Sequence, residues 1–97
     1  MLFAILCQDH PSSLDLRMSN RSAHLDYLRS WQPRLVEVGP LLDDEGRPCG
    51  SLLVVDVADR AEAEAFASGD PYAKAGLFAS TFIRAYCGVF RGGELVA

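Results

Sequence analysis

Two stretches of this sequence are apolar on both sides of a strand, and they limit the folds open to it. Leu2-Phe3-Ala4-Ile5-Leu6-Cys7 runs without period-two alternation, the pattern of a strand buried on both faces. Gly50 to Val57 sets Leu52 and Val54 on one side and Leu53, Val55 and Val57 on the other, again with no polar face. Such strands need a covering layer above and below their sheet.

The chain supplies helices for one of those layers only. Ser19 or Asn20 can cap a first helix over about Arg21 to Trp31, on whose inward stripe His24, Leu28, Trp31 and Leu35 follow a 4-3-4 spacing. Pro33 breaks it, leaving Pro33 to Val38 as a final turn. Gly39-Pro40 opens a short edge strand to Leu42, and Asp43 to Cys49 reads as a hairpin loop before the strand from Gly50. Asp59 with Glu62 is a capping-box variant for a second helix through Ser68, which packs through Ala63, Phe66 and Ala67. Phe82 to Phe90 alternates as a last strand, with Ile83, Ala85, Cys87 and Val89 on one face, and Gly92-Gly93 releases the tail.

Strand, helix, strand, strand, helix, strand is the pattern of an α+β ferredoxin-like βαββαβ sandwich, with strands one and three in the middle and both helices on one face. The uncovered face then calls for another layer, and a second copy of the same sheet supplies it. The 97 residues fit one domain spanning 1–97.

Composition excludes several classes. A net charge of -4 and a single lysine, Lys74, argue against a nucleic-acid partner, which needs clustered basic residues. No apolar run approaches the roughly 20 residues that span a bilayer. Met1 to Cys7 has neither a basic flank nor a small-residue cleavage site after it, so it reads as a strand of a cytoplasmic protein. Cys7, Cys49 and Cys87 are odd in number and lack C-x-x-C spacing; reduced, mostly buried thiols are expected, with no zinc site. Neither histidine has neighbouring metal ligands, and no phosphate loop or G-x-S-x-G is present, so the expectation is chemistry without metal or cofactor.

Chemistry concentrates in Gly69-Asp70-Pro71-Tyr72-Ala73-Lys74-Ala75-Gly76-Leu77. Gly69 ends a helix, Pro71 fixes φ, and Asp70 stands where its side chain caps a new short turn. The other candidate is His24. Each has a bland reading, His24 as a core histidine bonded to a carbonyl and Asp70 as a cap alone. In the ferredoxin-like topology both lie at one end of the helical layer. There Asp70 can fix the tautomer of His24 and leave its other nitrogen as a general base. Arg17, Arg21 and Tyr72 are either surface residues or groups that orient an anionic or phenolic ligand, and His10 is a solvent-facing loop residue.

Arg21-x-x-His24-Leu25, Gly39-Pro40-Leu41, Gly50-Ser51 and Asp70-Pro71-Tyr72-x-x-Ala75-Gly76-Leu77, in this order, resemble the YCII-related (YciI-like) family. The resemblance runs nearly end to end. It implies a dimeric α/β-barrel of ferredoxin-like subunits, related to muconolactone isomerases. It also implies a His-Asp active site on His24 and Asp70; beside that pair, Arg21, Ser51 and Tyr72 are the candidates for substrate binding. A branch of that family removes HCl from chlorinated ring compounds. Two functions therefore stand side by side. One is a small cofactor-independent lyase or isomerase moving a proton on a cyclic or enol-forming substrate. The other is a non-enzymatic dimer that binds a small metabolite or serves as an accessory subunit. A His24 ring open to a cavity favours the first, and a ring sealed by Leu28, Trp31 and Tyr72 favours the second.

Overall fold

The first strand, β1 (Leu2–Asp9), lies inside a four-stranded sheet and is paired on both sides. The computed structural model describes residues 1–97. Besides β1, the chain forms α1 (Leu14–Ser30), a 3₁₀ turn (Gln32–Arg34), β2 (Leu35–Leu42), β3 (Pro48–Asp56), α2 (Arg60–Gly69), a one-turn helix α3 (Pro71–Lys74) and β4 (Phe78–Tyr86). The sheet order is β2-β3-β1-β4 with every pair antiparallel. This is the ferredoxin-like order, with the two two-faced strands in the middle.

Register decides which residues meet the helices. Ile5 stands opposite Leu53 on one side and Ile83 on the other, and Phe3 opposite Val55. Their side chains form the core with Val57, Leu28, Ala63 and Phe66. Trp31 closes it edge-on against Phe66, ring centroids 4.9 Å apart. Each large side chain so buried contributes roughly 1.5 to 3 kcal/mol. The opposite face carries Leu6, Leu41, Phe82 and Tyr86 exposed, with Phe82 47% and Tyr86 46% accessible.

Element boundaries differ from the sequence expectation in several places. α1 begins at Leu14, directly after Ser13, instead of near Arg21. Ser19 and Asn20 do not cap; their side chains bond back to the Leu16 carbonyl at 3.1 and 2.9 Å from inside the helix, an alternative open to short polar side chains. Residues 35 to 38 are strand and not helical turn, because Leu35 and Val38 pair with Val55 and Leu53. The continuation of the 4-3-4 spacing to Leu35 is a coincidence, since the helix ends at Ser30 and the 3₁₀ turn containing Pro33 intervenes. Pro40 is accordingly inside β2, where an edge position tolerates it.

β4 starts at Phe78 and ends at Tyr86, whose partner Leu2 is the first residue of β1. The alternation of Cys87 and Val89 runs past any available ladder. Gly92-Gly93 does not simply release a tail: it turns a small hairpin of β5 (Phe90–Arg91) with β6 (Glu94–Leu95). The thiols also differ from expectation, since Cys7 alone is buried while Cys49 and Cys87 are exposed.

Asp59 caps α2 as expected, accepting from the Glu62 amide at 2.9 Å. The turn that follows α2 is built from its own caps. Asp70 Oδ1 accepts from the Tyr72 amide at 2.9 Å, and Pro71 occupies the first helical position, where no N–H is needed. At the far end Gly76 adopts φ +76, the left-handed conformation that ends a helix at little steric cost only for glycine. The Gly76 amide then donates to Ala73 O and the Leu77 amide to Tyr72 O, both at 3.1 Å, while Leu77 is fully buried. Asp70, Pro71, Gly76 and Leu77 thus explain one another as one capped turn.

Candidate active site

α3 packs along α1, and that contact brings the two chemical candidates together. His24 lies well inside α1, not near its start as the later helix boundary implied. Its Nδ1 is 2.8 Å from Asp70 Oδ1, both residues being buried. Against a carboxylate, which only accepts, Nδ1 is the donor, and in the neutral ring this leaves the lone pair on Nε2. Asp70 Oδ1 accepts simultaneously from the Tyr72 amide. Capping and orientation are performed by one oxygen.

The Nε2 atom makes no hydrogen bond, yet no buried side-chain nitrogen or oxygen in the structure lacks a partner. Nε2 is therefore reached from outside. The space available to it is a cavity of 240 Å³ lined by His24, Leu25, Leu28, Val38, Pro40, Arg17, Arg21, Ser51 and Tyr72, among others. A larger depression of 820 Å³ lies over the end of the uncovered sheet face beside Leu6, Leu41 and Phe82, and neither His24 nor Asp70 lines it.

Around the ring, Tyr72 stacks on His24 with centroids 3.9 Å apart and planes inclined 15°. The Arg17 guanidinium carbon stands 4.7 Å from the Tyr72 centroid. Arg17 is in turn held by a buried fork: Nε to Asp9 Oδ2 at 2.7 Å and Nη2 to Asp9 Oδ1 at 3.0 Å. Nη2 also donates to Ser51 Oγ at 2.9 Å. Burial opposes the charge on Arg17, but the Asp9 bonds more than offset this and hold it more firmly protonated than usual. Burial raises the Tyr72 phenol above its ordinary value, against the pull of Arg17 and Arg21, so it stays protonated at neutral pH.

The sequence candidates thus fall as follows. Arg21, Ser51 and Tyr72 all line the cavity, Arg21 exposed and the other two buried, with the Ser51 hydroxyl engaged by Arg17. Arg17 and Tyr72 are buried and not surface residues; His10 is exposed. Asp9 escaped notice altogether. Its signal was faint: Arg17, Arg21, His24 and Leu28 repeat the 4-3-4 spacing, but this becomes visible only when the helix starts before Arg17. No group of three or more His, Cys, Asp or Glu is gathered in a way that can hold a metal ion, and no helix is long and apolar enough to cross a membrane.

Cys7, on the buried face of β1, accepts from Thr81 Oγ1 at 3.8 Å. Burial pushes its thiol from 9.0 up to about 11. The fold favours the neutral thiol, so its contribution to stability is complete below the ordinary value and fades as pH rises toward the folded value. At about pH 8, maleimide should label Cys49 and Cys87 in the native chain and reach Cys7 only after unfolding. Rapid labelling of all three thiols would contradict the packing of β1.

A four-stranded antiparallel sheet in the order β2-β3-β1-β4, with its helices on one face, places the chain in the ferredoxin-like α+β class. An antibiotic biosynthesis monooxygenase shares this fold, with a TM-score of 0.56 at 14% identity over 92% of this chain and 99% of that one. The chain belongs to the YCII-related domain family, whose model matches residues 1–86. It is 33% identical to the protein YciI of Escherichia coli and 32% identical to an uncharacterised protein of Haemophilus influenzae, in both cases over 93% of this chain and all of the relative. A solved structure similar to it is 5-chloro-2-hydroxyhydroquinone dehydrochlorinase (TftG) from Burkholderia phenoliruptrix, in complex with 2,5-dihydroxybenzoquinone. The TM-score is 0.84 at 36% identity, covering 90% of this chain and 94% of that one.

Proposed function

We infer that the protein is a small lyase or isomerase in which His24 Nε2 removes a proton from a ring compound that forms an enol, with Asp70 orienting the imidazole. The observation that carries this reading is the 2.8 Å Nδ1 contact to Asp70 combined with an Nε2 that is unpartnered and accessible beside a 240 Å³ cavity. A core histidine kept for structure would use both nitrogens or be sealed. The cavity is smaller than the roughly 300 to 1,000 Å³ of drug-sized sites, which suits a single ring. Leu25, Leu28, Val38 and Pro40 offer its apolar contact, and Tyr72 and Arg21 its polar and charged contact.

In such a reaction the substrate C–H or O–H bond breaks and its proton joins Nε2. The electron pair moves onto a conjugated ring oxygen. Return of that pair takes the proton back from Nε2 onto a ring carbon: where that carbon bears chlorine, loss of a second hydroxyl proton then expels chloride and leaves the quinone, and where it does not, the product is an isomer. The similarity to a dehydrochlorinase at 36% identity supports the first outcome. The test is incubation with 5-chloro-2-hydroxyhydroquinone, following chloride release, and with unchlorinated enol-forming rings in deuterium oxide, following exchange. Release or exchange well above the protein-free rate is expected; neither one, across the set, would leave the protein as a binding module.

The active form is proposed to be a homodimer joined through the uncovered sheet face. Leu6, Leu41, Phe82 and Tyr86 are exposed there, and an ordinary specific interface buries about 800 Å² per subunit. Light scattering at micromolar concentration should report twice the chain mass. A monodisperse monomer would remove the barrel.

A further inference from the structure

Two apolar features of this chain are left uncovered, at opposite ends of one sheet. The first is the C-terminal hairpin, which lies beyond residue 86, where the match to the YCII-related domain ends. Gly92 and Gly93, both at positive φ, supply the turn that such a hairpin needs. Phe90 and Leu95 stand opposite each other across it and so share one face, 63% and 64% accessible. Its two short strands pack mainly on each other, and every residue from Val89 to Ala97 is exposed. A two-stranded hairpin in water is marginal without a surface to pack on. The second feature is the 820 Å³ depression, where Leu6, Leu41 and Phe82 present apolar surface beside Asp43 and Arg47. One chain cannot join them. Gly50 pairs with Gln8 and Tyr86 with Leu2, so the depression lies at the Gln8 end of β1 and the hairpin at its Leu2 end, roughly 20 Å away at the rise of a strand. The hairpin, two residue pairs long, is too short to fold back that far.

We propose that the C-terminal hairpin of each copy seats Phe90 and Leu95 in the depression of a second copy, the two sheets facing each other with their strands running in opposite senses. The inference rests on the proposed homodimer, not on the proton transfer, and adds which ends of the two sheets meet. A two-fold axis lying across the strands sets the Leu2 end of one sheet over the Gln8 end of the other. The same operation makes both contacts at once, as a closed two-fold interface requires, and it covers two exposed apolar patches that one chain leaves bare. Charge agrees with this placement. The loop from Asp43 to Arg47 holds three acids against one arginine, while Arg91 has no carboxylate partner in its own chain and a side chain long enough to reach the rim of the depression. Pro48 lines both the depression and the cavity that receives His24. The seated hairpin of the second copy therefore backs one wall of that cavity.

The native thiols test the orientation. Cys87 directly precedes the hairpin segment and Cys49 lines the depression, both exposed in the single chain, and their backbones stand at the two ends of the sheet, beyond the reach of a short bis-maleimide within one chain. The full chain treated with that reagent should give a covalent dimer whose peptide map joins Cys87 of one copy to Cys49 of the other. Links of Cys87 to Cys87 or Cys49 to Cys49 would overturn the proposal and leave a homodimer of the other orientation. The double variant Phe90→Asp/Leu95→Asp changes only exposed side chains, so its far-UV spectrum should match that of the parent. Its dimer dissociation constant, followed by light scattering on dilution, should rise about 10- to 100-fold, the loss of one or two large apolar side chains from an interface. An unchanged constant in that variant would overturn the inference whatever links form. A parent chain that stays monomeric would remove the homodimer and this contact together, and leave His24 as base untouched.

Discussion

His24→Gln should lower turnover by roughly 10²- to 10⁴-fold while the chain stays folded and keeps its cavity. Glutamine fills much of the same volume and can still bond Asp70, but it has no lone pair that accepts a proton near neutral pH. Asp70→Asn separates orientation from capping at the same site. An asparagine oxygen can still accept from the Tyr72 amide, yet it offers no negative charge to the ring. Loss of rate with retained stability is the expected outcome. Asp70→Ala, by contrast, should also cost about 0.5 to 2 kcal/mol through the lost cap. Turnover of an identified substrate at the parental rate by His24→Gln would end the proton-transfer mechanism.

The second large effect is on stability. Arg17→Met leaves the Asp9 carboxylate buried between β1 and α1 without its partner, and should destabilise the fold by about 3 to 5 kcal/mol. Replacing both, as Asp9→Leu/Arg17→Met, removes the uncompensated charge together with its cause. That double variant should recover most of the loss in urea unfolding, although Ser51 loses its donor. Near-additive losses in the cycle would mean that the two residues do not act as a pair, against the 2.7 and 3.0 Å bonds.

Most of the fold was legible because its signals are local. Absence of alternation in Leu2 to Cys7 marked a central strand, and the Asp59–Glu62 spacing marked a helix start, since both depend on residues within one or two turns of each other. The errors arose where two local signals competed. Ser19 and Asn20 looked like caps but sit mid-helix, and the Leu35 spacing looked helical but belongs to a strand whose partner is Val55. The alternation through Val89 continued beyond the end of β1. In each case pairing or packing with a distant segment decided.

The candidate site shows the same division. Asp70-Pro71 and Ala75-Gly76-Leu77 determined a capped turn by themselves, because every bond in it spans only a few residues. His24 was marked by its place on an apolar stripe. The environment that surrounds them was not written locally: Asp9 and Ser51 grip Arg17 across 8 and 34 positions, and His24 meets Asp70 across 46. Hydrophobic spacing says which face of α1 turns inward. Only the sheet order and the packing of α3 along α1 decide which polar groups wait there, because those are fixed by the summed burial of Ile5, Leu53, Val55 and Phe66 and not by any property of the residues that carry the chemistry.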